Sequence, residues 1–118
     1  MIITEFGKLI RKARLDAEIT LSKMATDLNV TSAFLSGLET GRKKIPDGWA
    51  QKVEGYFESM NMRVAGLPEA ADITNKSIPL DGLTPDHQRL MAGFARMTPS
   101  HQQLQKLQDL LIEFKNND

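Results

Sequence analysis

The chain has 118 residues, 41% of them hydrophobic and 25% charged, which suits one small domain or a small domain with an appendage. It has no cysteine, which excludes disulfides and thiolate metal sites and agrees with a reducing cytoplasm. The 15 basic and 15 acidic side chains cancel, so the net charge provides no general attraction to nucleic acid. No run reaches the roughly 18 apolar residues of a membrane span, and we expect a cytoplasmic protein without a membrane partner.

Four short helices are predicted in the first half of the chain, because apolar residues recur there at the helical period. Each helix presents one apolar face, and we expect these faces to form the core. The apolar positions in chain order are Phe6, Leu9, Ile10, Ala13, then Leu21, Met24, Ala25, Leu28, then Leu35, Leu38, and finally Trp49, Val53, Tyr56, Phe57 and Met60.

Capping and turn residues indicate where these helices begin and end. Thr20, Thr31 and Asp47 precede the second, third and fourth helices, and their side-chain oxygens can accept hydrogen bonds from the first helical turn. Gly41 follows the third helix, where a left-handed residue commonly ends a helix. Asn29 lies between the second and third helices and tolerates the left-handed conformation that a tight turn requires.

The second half of the chain divides into a connection and a helical tail. Residues 63–82 lack a sustained period and are interpreted mainly as a connecting segment, with room for a short helix near Pro68–Asp72. The tail repeats LTPDHQRL as MTPSHQQL fourteen residues later, and each copy offers a threonine cap followed by proline at the first helical position. We therefore predict two further helices, at about 85–96 and 99–115.

The predicted tail helices carry an apolar stripe that the small first domain does not need. The last helix repeats its apolar residues at 3-4-3 spacing, which is typical of a helix that pairs with a partner helix. We expect residues 83–118 to form a dimerisation region, although the pair folding back on its own domain remains an alternative. The residues expected at this interface are Leu90, Met91, Phe94, Leu104, Leu107, Leu111 and Phe114.

The second and third predicted helices, joined by a turn of three or four residues, match a helix-turn-helix. Five positions at the third helix carry unusually small side chains, which would let its backbone approach base edges in a groove about 12 Å wide: Thr31, Ser32, Ala33, Ser36 and Gly37. Gly37 costs about 1 kcal/mol relative to alanine inside a helix, which suggests that another molecule comes close there.

Residues 6–60 resemble the XRE/Cro-like, or lambda-repressor-like, helix-turn-helix family. The resemblance lies in ITLSKMATDLNVTSAFLSGLETGRKKIP, with a threonine cap, Met24-Ala25 in the first motif helix, a short turn, and Leu38-Glu39-Thr40-Gly41 at the end of the recognition helix. Two positions depart from the family pattern, because Asn29 stands where glycine is common and Leu21 where a phosphate-contacting glutamine often lies. The resemblance implies an all-α, lambda-repressor-like bundle in residues 1–62, with the tail helices as an extension.

The resemblance also implies roles for individual residues. It implies an ion pair between Arg14 and Glu39, and we expect its loss in Glu39→Ala to cost about 1 kcal/mol. Phe34 is either a wedge against sugar or thymine or a core residue, and the basic loop after Gly41 is either a phosphate site or simply solvated. The residues expected to contact bases are Thr31, Ser32, Ala33, Phe34, Ser36 and Gly37. The residues expected to contact phosphates are Thr20, Lys23, Thr40, Arg42, Lys43 and Lys44.

The function predicted from these features is a sequence-specific transcriptional regulator, a dimeric repressor of phage or mobile-element type on a palindromic double-stranded operator. The alternative is an antitoxin-like protein whose tail binds and neutralises a toxin. No catalytic pairing or phosphate-binding glycine loop is present in the sequence, so we expect no enzymatic activity and no cofactor. His87 and His101 have no neighbouring ligand residues and are interpreted as surface residues rather than a metal site.

Overall fold

The computed structural model describes residues 2–117, which form seven α-helices and no strand. The predicted all-α fold is therefore confirmed. Within these residues, none of the helices combines the length and the apolar character that crossing a bilayer requires. The helices are α1 (Glu5–Ala17), α2 (Leu21–Asp27), α3 (Ser32–Thr40), α4 (Trp49–Glu58), α5 (Leu67–Asn75), α6 (Pro85–Ala95) and α7 (His101–Asn116).

Most of these helices have a threonine or serine as the N-cap residue. The Oγ1 atoms of Thr20, Thr31 and Thr84 each accept a hydrogen bond from the backbone N–H three residues later, as predicted. Thr4 caps α1 in the same way and accepts from Gly7 N at 3.0 Å. These bonds satisfy N–H groups that the helices themselves leave without partners.

Two predicted helix starts are wrong. Asp47 does not cap α4; the preceding residue is Gly48, which adopts a φ of 82° and provides no side-chain bond. The last helix begins at His101 rather than at Pro99, because Ser100 forms a complete capping box with Gln103. The second copy of the tail repeat therefore does not cap its helix as the first copy does.

The core lies in the first of two compact units, which ends at Pro79. α1 packs on α3 and α5, α2 packs on α3, and α4 packs on α5. The predicted apolar faces supply most of the buried side chains, while Trp49, Tyr56 and Met60 lie at the edge of the core and are only half-buried. The larger buried apolar residues are Phe6, Ile10, Met24, Leu28, Leu35, Leu38, Ile45, Val53, Phe57 and Leu67.

α5 belongs to this core, although its residues lie in the segment predicted as a connection. Leu67 is fully buried, and Ala70 and Ala71 are buried beside it. Proline at the start of α5 and the left-handed Gly66 before it set the helix beginning. The compact unit thus extends to Pro79 instead of ending at residue 62 as predicted.

The second unit begins at Leu80 and contains α6 and α7. Both helices lie wholly within the described residues, and neither contains a buried residue. Of the seven residues predicted for dimerisation, Met91 and Leu107 are half-buried and the other five are exposed, with Leu90 at 72% and Phe114 at 57%.

Candidate nucleic-acid interface

A short turn joins α2 to α3. Asn29 occupies this turn with a φ of 59°, the left-handed conformation that its sequence position predicts. The turn is closed by Val30 N, which donates to Ala25 O at 2.9 Å. Ala25 is 2% exposed, so a small residue lies where the two helices pack together. The next helix, α3, then begins at the Thr31 cap.

Buried contacts on one side of α3 hold it in the domain. Leu35 and Leu38 are fully buried, as predicted, and Glu39 is the buried acidic side chain beside them. The predicted ion pair between Arg14 and Glu39 is present, and both guanidinium Nη atoms of Arg14 face the carboxylate. Arg11, one turn before Arg14 in α1, forms a second ion pair, with its Nε 3.1 Å from Glu39 Oε1. Two arginines from α1 thus neutralise one buried carboxylate on α3.

The backbone of α3 also contacts α1 directly. Glu39 O accepts hydrogen bonds from Thr4 N at 3.1 Å and from Thr4 Oγ1 at 2.9 Å. Gly7 faces the same carbonyl group so closely that a Cβ there would overlap its oxygen. These contacts, together with the ion pairs, fix the last turn of α3 against the start of α1.

The opposite side of α3 is open at its N-terminal end. Thr31, Ser32 and Ala33, which are predicted to contact bases, are all exposed. Ser36, one turn further along, is half-buried. The structure therefore brings four of the six predicted base-contact residues together on or beside an exposed first turn, with short side chains that leave the backbone accessible.

Phe34 is held against the protein rather than projecting freely. Its ring packs on Trp49 with centroids 5.3 Å apart and planes tilted by 55°, and the side chain is half-buried. Lys43 Nζ lies 5.8 Å from the Phe34 centroid, and Lys52 Nζ lies 4.9 Å from the Trp49 centroid. Of the two interpretations of Phe34, the core residue is closer to this position, because the side chain packs at the edge of the core.

Gly37 does not face an open groove, contrary to the prediction. It is buried, and a Cβ at this position would lie 3.0 Å from both Cγ and Cδ of Lys43. Lys43 N also donates to Gly37 O at 3.1 Å, so the lysine folds back over the helix. The Lys43 side chain thus supplies an internal neighbour for Gly37, which a Cβ would crowd.

The basic loop, residues 42–44, is exposed at all three positions. Arg42 Nε donates to Thr40 Oγ1 at 3.3 Å, and Thr40 Oγ1 in turn donates to Ser36 O at 3.0 Å. The loop thus begins with a chain of hydrogen bonds that ties it to the end of α3. Lys44 extends beyond this contact and is exposed, as a phosphate-binding residue would have to be.

The remaining predicted phosphate contacts lie at the start of α2. Thr20 is exposed, and its Oγ1 accepts the Lys23 N–H at 3.0 Å. Lys23 Nζ forms an ion pair with Asp27 at 3.0 Å one turn along the helix. Because that ammonium already has a carboxylate partner, Lys23 is a weaker phosphate candidate than the residues of the basic loop.

Asp27 joins α2 to α4 through Tyr56. The Tyr56 hydroxyl donates to Asp27 Oδ2 at 2.7 Å. Burial of the phenol, followed by this hydrogen bond, raises the pKa of Tyr56 to about 12. The hydrogen bond from Tyr56, followed by that from Lys23, lowers the pKa of Asp27. The contact therefore favours an ionised carboxylate and a neutral phenol at neutral pH.

Two residues at the end of α5 hold the same region and were not predicted. Asn75 makes two hydrogen bonds with the backbone of Ile45, directly after the basic loop. Thr74 Oγ1 accepts from Phe6 N at 3.2 Å at the start of α1. Both contacts join segments far apart in the sequence, and no local pattern around these residues indicates them.

Comparison with known proteins leaves the family open, because no protein-family model, curated protein or solved structure matches the chain.

Proposed function

We propose that the chain is a sequence-specific DNA-binding transcriptional regulator with a lambda-repressor-like helix-turn-helix formed by α2 and α3. In this proposal α3 enters the major groove, and Thr31, Ser32 and Ala33 face the base edges. Serine can hydrogen-bond several base edges, and alanine or a threonine methyl group can contact a thymine methyl group. None of these makes a two-point contact with a base, so DNA shape contributes part of the specificity.

One observation carries the proposal. The buried side of α3 is fixed by two leucines and by a carboxylate paired with two arginines, while the small side chains of Thr31, Ser32 and Ala33 are exposed at its N-terminal end. A helix held in this way presents its backbone to a partner without bulky obstruction. The resemblance of residues 6–60 to lambda-repressor-like domains agrees with that use of the helix.

The basic loop supports contacts with the phosphate backbone. Arg42, Lys43 and Lys44 follow the C-terminal end of α3 directly and are exposed. Contacts of this kind set affinity and register without carrying sequence information. Their sequence-independent contribution falls with salt concentration, which gives it a distinct experimental signature.

Selection of bound fragments from random DNA at a fixed salt concentration tests the proposal most directly. We expect an enriched motif with two half-sites related by a dyad, with centres separated by about one helical turn. Recovery of fragments without any shared motif would refute sequence-specific binding. The same experiment at two salt concentrations separates phosphate contacts from base contacts.

Two sets of variants separate base contacts from phosphate contacts. Ser32→Gln or Ala33→Gln should change the preferred motif while leaving the oligomeric state unchanged. Lys44→Ala should weaken binding to all sequences and make the slope of log K against log salt shallower by about one. If both sets change binding in the same way, the assignment of base contacts to α3 is wrong.

The proposed regulator acts as a homodimer through the second unit. The absence of buried residues from α6 and α7 supports this part of the proposal, because an apolar stripe with exposed leucines and phenylalanines gains stability by packing. Removing residues 80–118 should convert a dimer to a monomer in size-exclusion chromatography with light scattering. A truncated chain that remains dimeric would exclude the tail from this role.

The same exposed stripe favours a second candidate function. An antitoxin-like protein would use the stripe to bind a toxin and the helix-turn-helix to regulate its own synthesis. The two candidates differ in the purified chain alone, because a homodimer needs no other protein. A full-length chain that is monomeric at micromolar concentration would favour the antitoxin over the dimeric repressor.

A further inference from the structure

The carboxamide of Asn75 makes a two-point contact with the backbone of Ile45. Ile45 N donates to Asn75 Oδ1 at 2.9 Å, and Asn75 Nδ2 donates to Ile45 O at 3.0 Å. The two residues are 30 positions apart, and the contact joins the last residue of α5 to the chain that leaves the basic loop. Asn75 thus provides both partners for the polar backbone groups of one residue.

The loop that carries the basic residues is fixed at both ends. On the side of α3, Lys43 N donates to Gly37 O at 3.1 Å. At its end, Ile45 is 2% exposed, so its side chain anchors the chain in the core. The buried Ile45 side chain holds the end of the loop against the core. The two hydrogen bonds with Asn75 orient the peptide groups before and after Ile45.

Lys44 directly precedes Ile45 and therefore depends on this orientation. The peptide group that links Lys44 to Ile45 contains the N–H that Asn75 accepts. The hydrogen bond fixes the direction of this peptide group, and with it the backbone on the C-terminal side of Lys44. A side chain on the neighbouring helix α5 therefore holds the backbone from which the exposed Lys44 side chain extends.

We propose that Asn75 is a positioning residue for the phosphate-contacting loop, holding Arg42, Lys43 and Lys44 in register with α3 through the backbone of Ile45. This inference rests on the proposed DNA-binding function and adds α5 to the binding module. The residue itself does not contact DNA. Its contribution is to hold the loop in one arrangement, so that binding does not have to order it.

Asn75→Ala tests the inference in the full-length chain, with Thr74→Ala as the matched control. Thr74 is the adjacent residue of α5 and is also half-buried, but its hydrogen bond goes to Phe6 N rather than to the loop. Binding to one DNA duplex, taken from the selection experiment, is measured over a range of salt concentrations. For Asn75→Ala we expect a slope of log K against log salt that is shallower by about 0.9 for each phosphate that the loop no longer neutralises. For Thr74→Ala we expect the slope of the unchanged chain.

Hydrogen exchange of the Ile45 amide provides a second measurement, made without DNA. In Asn75→Ala this amide should exchange about tenfold faster, while the amides of α3 keep their protection. Faster exchange with an unchanged salt slope would make Asn75 a structural residue only and overturn the positioning role. An unchanged exchange rate at the Ile45 amide would contradict the two hydrogen bonds between Asn75 and the Ile45 backbone.

Failure of the proposed function gives a different result. If the unsubstituted chain binds no DNA at any salt concentration, the proposed regulator is refuted, and the positioning role falls with it. If the unsubstituted chain binds and Asn75→Ala binds with the same slope, the function stands and only the role of Asn75 is refuted.

Discussion

Replacing Gly7 by alanine should disrupt the contact between α1 and α3. A Cβ at this position would overlap the carbonyl oxygen of Glu39 and come within 2.9 Å of its carbonyl carbon and 3.0 Å of its Cα. Ordinary van der Waals contact begins at 3.4 Å, and the oxygen is the nearest of these atoms, so the two helices would have to separate by roughly 1 Å. All three atoms belong to the backbone of a buried residue, and none can move aside by a change of rotamer.

The expected cost combines overpacking with the weakening of two hydrogen bonds. Alanine gains about 1 kcal/mol over glycine in helix propensity, which favours the variant. Overpacking of a tight contact costs about 1–3 kcal/mol, and each hydrogen bond that Thr4 donates to Glu39 O contributes about 1 kcal/mol. We therefore expect Gly7→Ala to lower the free energy of unfolding by about 2–4 kcal/mol.

Urea denaturation followed by far-UV circular dichroism measures this change, with Gly55→Ala as the matched control. Gly55 lies in the interior of α4, is exposed, and would have no atom within 4 Å of its added Cβ. This control should therefore become more stable by about 0.5–1 kcal/mol. A Gly7→Ala variant that unfolds at the same urea concentration as the unsubstituted chain, or a higher one, would refute the close contact.

Three further predictions concern other contacts of the first unit. Glu39→Ala should lower the free energy of unfolding by about 3 kcal/mol in the same denaturation assay, because it leaves two arginines beside a buried gap. This is more than the loss of a partly exposed ion pair would cost, and a decrease below about 1 kcal/mol would contradict it. Tyr56→Phe removes a hydrogen bond to Asp27, so the pKa of that carboxyl should rise toward its ordinary value of 3.8 in an NMR titration, and an unchanged pKa would contradict the contact. Because the pKa of Asp27 is lowered in the folded state, its contribution to stability is present above pH 3.8 and is lost as the pH falls through the folded-state pKa. The stability of the Tyr56→Phe variant should therefore depend less on pH in this acidic range. Residues 1–79 should unfold cooperatively in a thermal melt, whereas residues 1–62, without α5, should not; equal midpoints would exclude α5 from the core.

The parts of the fold that local chemistry determines could be predicted from the sequence. Thr20 and Thr31 cap their helices, Asn29 and Gly41 adopt left-handed conformations, and the apolar period identifies the buried faces. Each of these features depends on residues within one helix or the turn next to it. The ion pair of Glu39 is a long-range contact, and it was predicted only through the resemblance to a family.

The role of α5 could not be predicted because its apolar face is small. Leu67, Ala70 and Ala71 have helical spacing, but two alanines contribute little to a hydrophobic pattern, and the flanking glycine and proline indicate a loop. The partners of Asn75 are set by tertiary packing, since an asparagine carboxamide accepts many partners in many contexts.

Gly37 shows that a local cost in helix stability can have more than one cause. Glycine in a helix does cost about 1 kcal/mol, and the sequence offers no way to distinguish an outside ligand from a neighbouring side chain. The structure identifies that neighbour as Lys43. The lysine is six residues away, beyond the end of the helix, where helical periodicity gives no guidance.

The polar anchors described for α3 and its exposed small residues lie at opposite ends of the helix. The carboxylate of Glu39 and its backbone carbonyl secure the last turn, whereas Ser32 and Ala33 are exposed in the first turn. Substitutions at exposed positions away from such anchors usually change stability by less than about 0.5 kcal/mol. Ser32 and Ala33 can therefore be replaced at little cost in stability, so under the proposed function a change of target sequence there needs no compensating mutation elsewhere.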